Sequence, residues 1–294
     1  AEELAAGLGA LSEGVTSVPP RIAAFGREGL LAAMPGYAPG LGFGAKLVSV
    51  FPHNSTARLP THHALVALFD ESTGVPVAVM GGTYLTAIRT AMTVAIAARA
   101  LARAGRRSLA IVGAGAQAAA HLVALTHLLS PADVRIASRE VSKASALADT
   151  HPGTVAVSSV EEAVTGADVV CCCTGAAGAV IDEGWIGPGV HVGSVGTGAE
   201  LPSDLLARAR LFVESRTTAT APPPAGSLEL QGHDPSSLTE IGDVLAGRSP
   251  GRLSPDEVTV FKSTGHAVED IAAGALVLRR ALALGAGTTV TMSG

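Results

Sequence analysis

Apolar and polar positions change period near the middle of the chain. From about residue 106 onward, short continuous apolar runs alternate with stretches of helical spacing. Strands are expected at 108–112, 134–137, near 154–157, 168–173, 189–194 and 210–214, with helices over 116–129, 141–149 and 159–165 between them. Continuous rather than alternating strands, the first three each followed by a helix, predict a doubly wound parallel sheet of α/β class covered on both faces. Before it, residues 1–105 alternate short β-like runs with loops rich in Gly, Pro and His, and close on a helix over about 86–104, stopped by Gly105. After it come a proline-rich loop at Ala221-Pro-Pro-Pro224, a β-like run at 258–261 and an apolar helix over about 267–284. The tail is expected to return to the first part. The expected division is therefore 106–259 as one domain, inserted in a discontinuous second domain made of 1–105 plus 260–294.

The turn after the first parallel strand carries a chemical signature. In Ser108-Leu-Ala-Ile-Val-Gly-Ala-Gly-Ala-Gln-Ala118 a strand enters Gly113, Ala114, Gly115, Ala116 and Gln117 and then an alanine-rich helix. Gly113 suits a tight turn, Gly115 lets backbone approach a pyrophosphate, and Ala118 lets the helix pack on the strand. The helix N-terminus then offers unpaired N–H groups to phosphate. The next strand ends about twenty residues on, where dinucleotide folds place the residue that reads the adenosine ribose. Here stand Ser138 and Arg139 instead of a carboxylate, a pair suited to a 2′-phosphate, so NADPH is expected over NADH. Glu140 takes the ribose if the strand ends later.

Composition narrows the partners. The chain has 294 residues, 48% hydrophobic side chains, 35 glycines and a formal net charge of −5, with no basic run or aromatic-interleaved patch. Neither nucleic acid nor an anionic membrane is an expected partner, and a small molecule is. The uncharged run 72–88 is broken by Gly74, Pro76, Gly81 and Gly82, against a transmembrane span. The start, Ala1-Glu-Glu-Leu, lacks the features of a signal peptide, and a cytoplasmic location is expected. Cys171, Cys172 and Cys173 are consecutive in an apolar run, which points to strand packing in a reducing compartment and to no metal set.

Three cations stand in apolar or glycine-rich company: Arg21 after two prolines, Lys46 in Gly42-Phe-Gly-Ala-Lys46, and Arg89 in Leu85-Thr-Ala-Ile-Arg-Thr90. Such a side chain snorkels, pairs with a carboxylate or binds an anionic ligand, because isolated burial of its charge is costly. Arg89 lies near the start of the expected helix, where the dipole disfavours a cation. His53, His62 and His63 lie in the same region, without spacing that argues for zinc.

The motifs Pro-Pro-Arg21, Met34-Pro35, Gly-Ala-Lys46, Pro52-His-Asn54, Leu-Pro-Thr61, Gly74-Val-Pro76, Leu-Thr-Ala-Ile-Arg-Thr90, Gly-Ala-Gly-Ala-Gln117, Gly251-Arg252 and Phe261-Lys-Ser-Thr-Gly265 with Glu-Asp270 carry a resemblance over nearly the whole chain. It resembles the ornithine cyclodeaminase/μ-crystallin family. The resemblance implies a dinucleotide domain inserted in a domain that makes a homodimer, with substrate between them. It implies that Arg21, Lys46 and Arg89 hold the substrate carboxylate, and that Arg89, Thr90, Gln117, Thr174 and Val195 join the 113–117 loop around the cofactor.

One position departs from the cyclodeaminase pattern. Where those enzymes carry an aspartate after the glycine of the fifth dinucleotide strand, Val192-Gly-Ser194 presents a serine. A serine with no base partner serves poorly for a ring-forming deamination. The reductase members, which act on cyclic ketimines, more often show a small or hydroxyl residue there. The expected reaction is hydride transfer from NADPH to the C=N carbon of Δ1-pyrroline-2-carboxylate or Δ1-piperideine-2-carboxylate. Ser194 would assist the positive nitrogen and Lys46 deliver a proton. The alternatives are an open-chain imino acid reductase or amino-acid dehydrogenase, a cyclodeaminase with Glu200 or Asp204 as displaced carboxylate, and a non-catalytic NADPH-binding protein.

Overall fold

A computed structural model describes residues 1–57, 59–105, 107–196 and 198–291, with backbone alone at Ser55. The chain opens with α1 (Glu2–Glu13), a helix where β-like runs and loops are expected, then lays down β1 (Ile22–Phe25), β2 (Leu30–Ala38), β3 (Gly42–Val50), β4 (His62–Phe69) and β5 (Pro76–Gly81). These five strands form one antiparallel sheet in chain order. Alternation sets its faces: Ala32, Met34, Gly36 and Ala38 of β2 and Gly42, Gly44 and Lys46 of β3 are buried on one side. Gly36 and Gly44 face each other across the β2–β3 pair. A methyl group on Gly44 would lie 2.8 Å from Ile271, so the glycine lets the C-terminal helix seat directly on the sheet. The opposite face is open, and Leu31, Phe43, Leu47, Leu65 and Val79 are exposed on it.

The helix α2 (Gly82–Leu101) leads to the second sheet. There β6 (Ser108–Val112), α3 (Ala116–Leu129), β7 (Asp133–Ala137), α4 (Val141–Ala148), β8 (Thr154–Ala156), α5 (Val160–Val164), β9 (Val169–Cys172), β10 (His191–Ser194), α6 (Ser203–Arg208), β11 (Arg210–Val213), α7 (Arg216–Thr220), β12 (Thr239–Glu240) and α8 (Ile241–Leu245) precede β13 (Thr259–Lys262) and α9 (Ala267–Leu284). The eight parallel strands run β12-β11-β13-β10-β9-β6-β7-β8. Residues such as Leu109, Ile111, Cys171 and Cys173 pack on one face with α2 and α3, and Ala110, Val112, Cys172 and Val192 on the other. This is the doubly wound sheet expected, joined to a mixed α+β unit.

Two expectations are corrected. Helix α2 begins at Gly82, four residues early, so Arg89 lies about two turns in and not in the first turn. The dipole penalty expected there does not apply, and the buried charge is explained by its partners. The last strand does not leave with the tail: β13 lies between β10 and β11, pairing Ser194 with Lys262 and Phe212 with Phe261. The expected boundary at 259/260 thus falls inside a strand of the parallel sheet, and the return to the antiparallel sheet is made by α9; Arg106, at the other expected boundary, lies outside the described residues. Among the described residues no helix is long and apolar enough to cross a membrane.

Candidate active site

The glycine turn has the geometry its sequence asks for. Gly113 has φ +124°, and a methyl group there would lie 2.5 Å from the Cys173 carbonyl oxygen. Both facts require glycine. A methyl group on Gly115 would meet nothing within 4 Å, so the space in front of the α3 N-terminus is open, while Ala118 is fully buried beneath it. Buried Oε1 of Gln117 has no hydrogen-bond partner. Ala114 and Ala116 complete the turn. Strand β7 ends at Ala137, so Ser138 and Arg139 follow it directly. Ser138 Oγ donates to the Glu140 carbonyl at 2.7 Å, Glu140 pairs with Lys143 at 2.6 Å, and exposed Arg139 has no ion pair among the described residues. These residues, Thr174 and Val195 all follow the C-terminal ends of four adjacent strands, β7, β6, β9 and β10, the edge at which doubly wound sheets bind ligands. The open cradle, the orphaned Gln117 oxygen and Arg139 fit a dinucleotide.

The three cations converge. Strand β3 buries Lys46, which donates to Asp270 Oδ1 at 3.1 Å and lies 2.9 Å from Oδ2. Arg89 donates from Nε to Asp270 Oδ1 at 2.9 Å and from Nη1 to Glu269 Oε2 at 2.8 Å, and Thr93 Oγ1 donates to the same Glu269 oxygen. Glu269 and Asp270 sit in the first turn of α9, so the helix that covers the antiparallel sheet also supplies the anions. Arg21 donates to the carbonyls of Thr264 and Gly265, at 2.9 Å to the latter. Gly265, at φ +72°, lies against the Arg89 guanidinium, where a methyl group would come within 2.7 Å of Nη1.

Burial, then the neighbouring Arg89, lowers the Lys46 pKa to about 8 against the pull of Asp270. Burial and Arg89 likewise lower Arg21. Burial would also lower Arg89, but Asp270 and Glu269 outweigh it and hold its pKa above the ordinary value. Asp270 stays below the usual carboxylate range because Arg89 and Lys46 outweigh its burial. A third acid is Glu214, immediately after β11, which accepts from Ser263 Oγ at 2.5 Å and from the Thr264 and Gly265 amides at 3.1 and 3.2 Å. Burial and then Glu269 raise its pKa.

Ser194 is not the partnerless serine the sequence suggested. Its Oγ donates to Glu200 Oε2 at 2.7 Å and accepts from Lys262 Nζ at 2.8 Å. Glu200 also accepts from Gly196 N at 2.7 Å and from Thr174 N and Oγ1 at 2.6 Å each. Lys262 in turn lies 3.0 Å from Glu229 Oε2, and both side chains are fully enclosed. The other suggested carboxylate, Asp204, is exposed on α6.

Of the three histidines, only His62 is drawn into this electrostatic setting. Its ring meets Thr61 Oγ1 at 2.9 Å, and loss of solvent and then Lys46 lower its pKa. Like His62, His53 and His63 are exposed. The sequence reading missed Glu214, Lys262 and Glu229. The first two stand at C-terminal ends of parallel strands, which was the available signal, but placing them required knowing that β13 enters the sheet centre.

The model of the ornithine cyclodeaminase/mu-crystallin family matches residues 1–284. The ketimine reductase mu-crystallin of Mus musculus is 40% identical over 256 residues, which cover 85% of this chain and 80% of the relative. Among solved structures, the Δ1-pyrroline-2-carboxylate reductase of Thermococcus litoralis in complex with NADH and L-proline superposes with a TM-score of 0.92 at 30% identity, covering 98% of this chain and 94% of that one. An archaeal alanine dehydrogenase dimer with bound NAD gives 0.87 at 28% identity, covering 99% and 93%.

Proposed function

Because the chain belongs to the ornithine cyclodeaminase/mu-crystallin family, we propose that it is an NAD(P)H-dependent oxidoreductase that reduces the C=N bond of a cyclic α-imino acid, Δ1-pyrroline-2-carboxylate or Δ1-piperideine-2-carboxylate, to proline or pipecolate. The observation that carries the reading is the convergence of Lys46, Arg89 and Arg21 with donors to spare. Asp270, Glu269 and two carbonyls fix the three side chains yet use only part of their N–H groups. The rest form a preorganised seat for a carboxylate, in which an arginine supplies planar geometry that lysine lacks.

The 113–117 loop, Thr174 and Val195, with Arg89 and Thr90, would hold a nicotinamide dinucleotide, which when bound would supply the hydride. The chain's own groups set the charge. Ser194 gives its hydroxyl proton to Glu200 and receives one from Lys262, so it can meet a protonated imine only as an acceptor, which favours the cation. Lys46, with its pKa near 8, is suited to hold the carboxylate and to return a proton near neutral pH. Glu200 does not replace the missing aspartate: its four donors fill the roughly four lone-pair sites of a carboxylate, leaving none for a substrate amine. This argues for reduction over cyclodeamination.

NADPH is the preferred cofactor in this reading, supported by exposed Arg139 and by Glu140 being engaged with Lys143. The homodimer is proposed to form through the open face of the antiparallel sheet, which carries Leu31, Phe43, Leu47, Leu65 and Val79 and a cavity of about 310 Å³ lined in part by Pro35, Tyr37, Phe43 and Phe69. The three free cysteines suit a reducing compartment, and the cytoplasm is proposed. An open-chain imino acid is the second reading, supported by the likeness to alanine dehydrogenase. Initial rates of NADPH oxidation with the two cyclic imines, with pyruvate plus ammonia, and ammonia release from ornithine test these together. Turnover highest on a cyclic imine supports the first reading, and turnover highest on pyruvate plus ammonia supports the second. Ammonia from ornithine with no imine reduction refutes both.

A further inference from the structure

Beneath the nucleotide turn, three donors outside the proposed chemistry meet in the core. His121 of α3 and Cys171 and Cys173 of β9 and its end are buried, and their donor atoms all lie within 4.8 Å of one another, with the two sulfurs 3.4 Å apart. The cysteines are two residues apart and therefore share a face of the sheet, whereas Cys172 points into the opposite core. Reading the three as uniform packing overlooked this pairing.

The imidazole is the informative member. Its Nδ1 lies 2.7 Å from the Gln117 carbonyl, which can only accept, so Nδ1 carries the proton and Nε2 presents a bare lone pair. Buried Nε2 has no hydrogen-bond partner in the structure. Neither thiol donates to it. A buried imidazole that donates one N–H to a backbone carbonyl, keeps its other nitrogen bare and belongs to a donor cluster with two sulfurs has the partners of a metal ligand with its outer contact in place.

We propose that His121, Cys171 and Cys173 form a buried site for a thiophilic d10 cation, of which Zn²⁺ and Cu⁺ are the common sources. Two sulfurs and one nitrogen select such ions over Mg²⁺ or Ca²⁺. Ligand distances of about 2.0–2.3 Å place donors roughly 3.4–3.8 Å apart around one ion, reachable from the observed cluster by thiol rotation and a small approach of α3 to β9. Binding converts both thiols to thiolates and releases two protons. With Zn²⁺ the resulting set is neutral, which suits an apolar core. The site would pin α3 to β9 where the Cys173 carbonyl abuts Gly113.

The test uses the full-length protein, stripped with a chelator and kept reduced, then incubated with Zn²⁺, Cu⁺ or Mg²⁺ and passed through gel filtration before metal analysis. One equivalent of Zn²⁺ or Cu⁺, no Mg²⁺, and loss of retention in both Cys171→Ala/Cys173→Ala and His121→Leu support the site, and the two metal arms identify the source. Cd²⁺ added to the unmodified protein should give thiolate-to-metal absorption and a raised Tm, a readout that needs no variant to fold. Substoichiometric retention without that absorption, or equal retention by the variants, overturns it.

Discussion

Replacing Lys46 with methionine isolates the ammonium from its stem. The side chain is 3% exposed and its charge meets Asp270 at 2.9 Å, but Asp270 keeps Arg89 Nε at 2.9 Å after the change. No carboxylate is orphaned, so the stability cost should be about 1–2 kcal/mol, below the roughly 3–5 kcal/mol of a stranded buried charge. A charge-assisted hydrogen bond made in the transition state contributes about 1.5–3 kcal/mol, which predicts a fall in kcat/KM of about 10- to 150-fold, mostly in kcat. The pKa near 8 adds a stricter requirement. Wild-type Lys46 should go from about nine-tenths protonated near pH 7 to about one-tenth near pH 9, so the wild-type advantage should shrink about tenfold across that window. Stability runs the other way. The folded pKa lies below the ordinary 10.5, so between about 8 and 10.5 the unfolded state binds more protons and stability rises with pH, a rise the variant should lack. Steady-state kinetics and thermal melts across pH read both effects. An unchanged kcat, or a wild-type-to-variant ratio constant across pH, would refute the role assigned to the ammonium.

Arg139→Ala should raise KM for NADPH by about tenfold or more and leave NADH nearly unchanged, since only the 2′-phosphate uses the guanidinium; equal effects on both cofactors would remove Arg139 from recognition. Gly265→Ala should cost about 1–2 kcal/mol for its left-handed backbone, push Arg89 off its seat and raise KM for the imino acid, and wild-type kinetics in that variant would detach Gly265 from the carboxylate seat. Leu65→Asp places a charge beside Leu47 on the open sheet face and should give a monomer by light scattering; an intact dimer would move the interface elsewhere.

Six of the eight parallel strands were legible as short runs bounded by turn residues, and α3 and α9 coincide with their expected spans, whereas the two-residue β12 (Thr239–Glu240) has no apolar run to mark it. Helix α1 was hidden by its glycines and its short amphipathic pattern. The entry of β13 between β10 and β11 is a long-range choice with no local signal, and it carries Lys262 to Ser194. Arg21, Lys46 and Arg89 stood out as cations in apolar company, while Glu214 and Glu229 did not, because a lone acid beside a loop resembles ordinary surface until the chain folds. The cysteines were legible as strand and not as a pair, since His121 reaches them from another element.

Transfer of label from NADPH deuterated on its reactive carbon tests the central claim most directly, with the cyclic imine as acceptor and mass analysis of the product. Hydride delivery to the C=N carbon predicts one deuterium on the α-carbon of proline or pipecolate. Unlabelled product, or NADPH consumed without an amino acid formed, would contradict it.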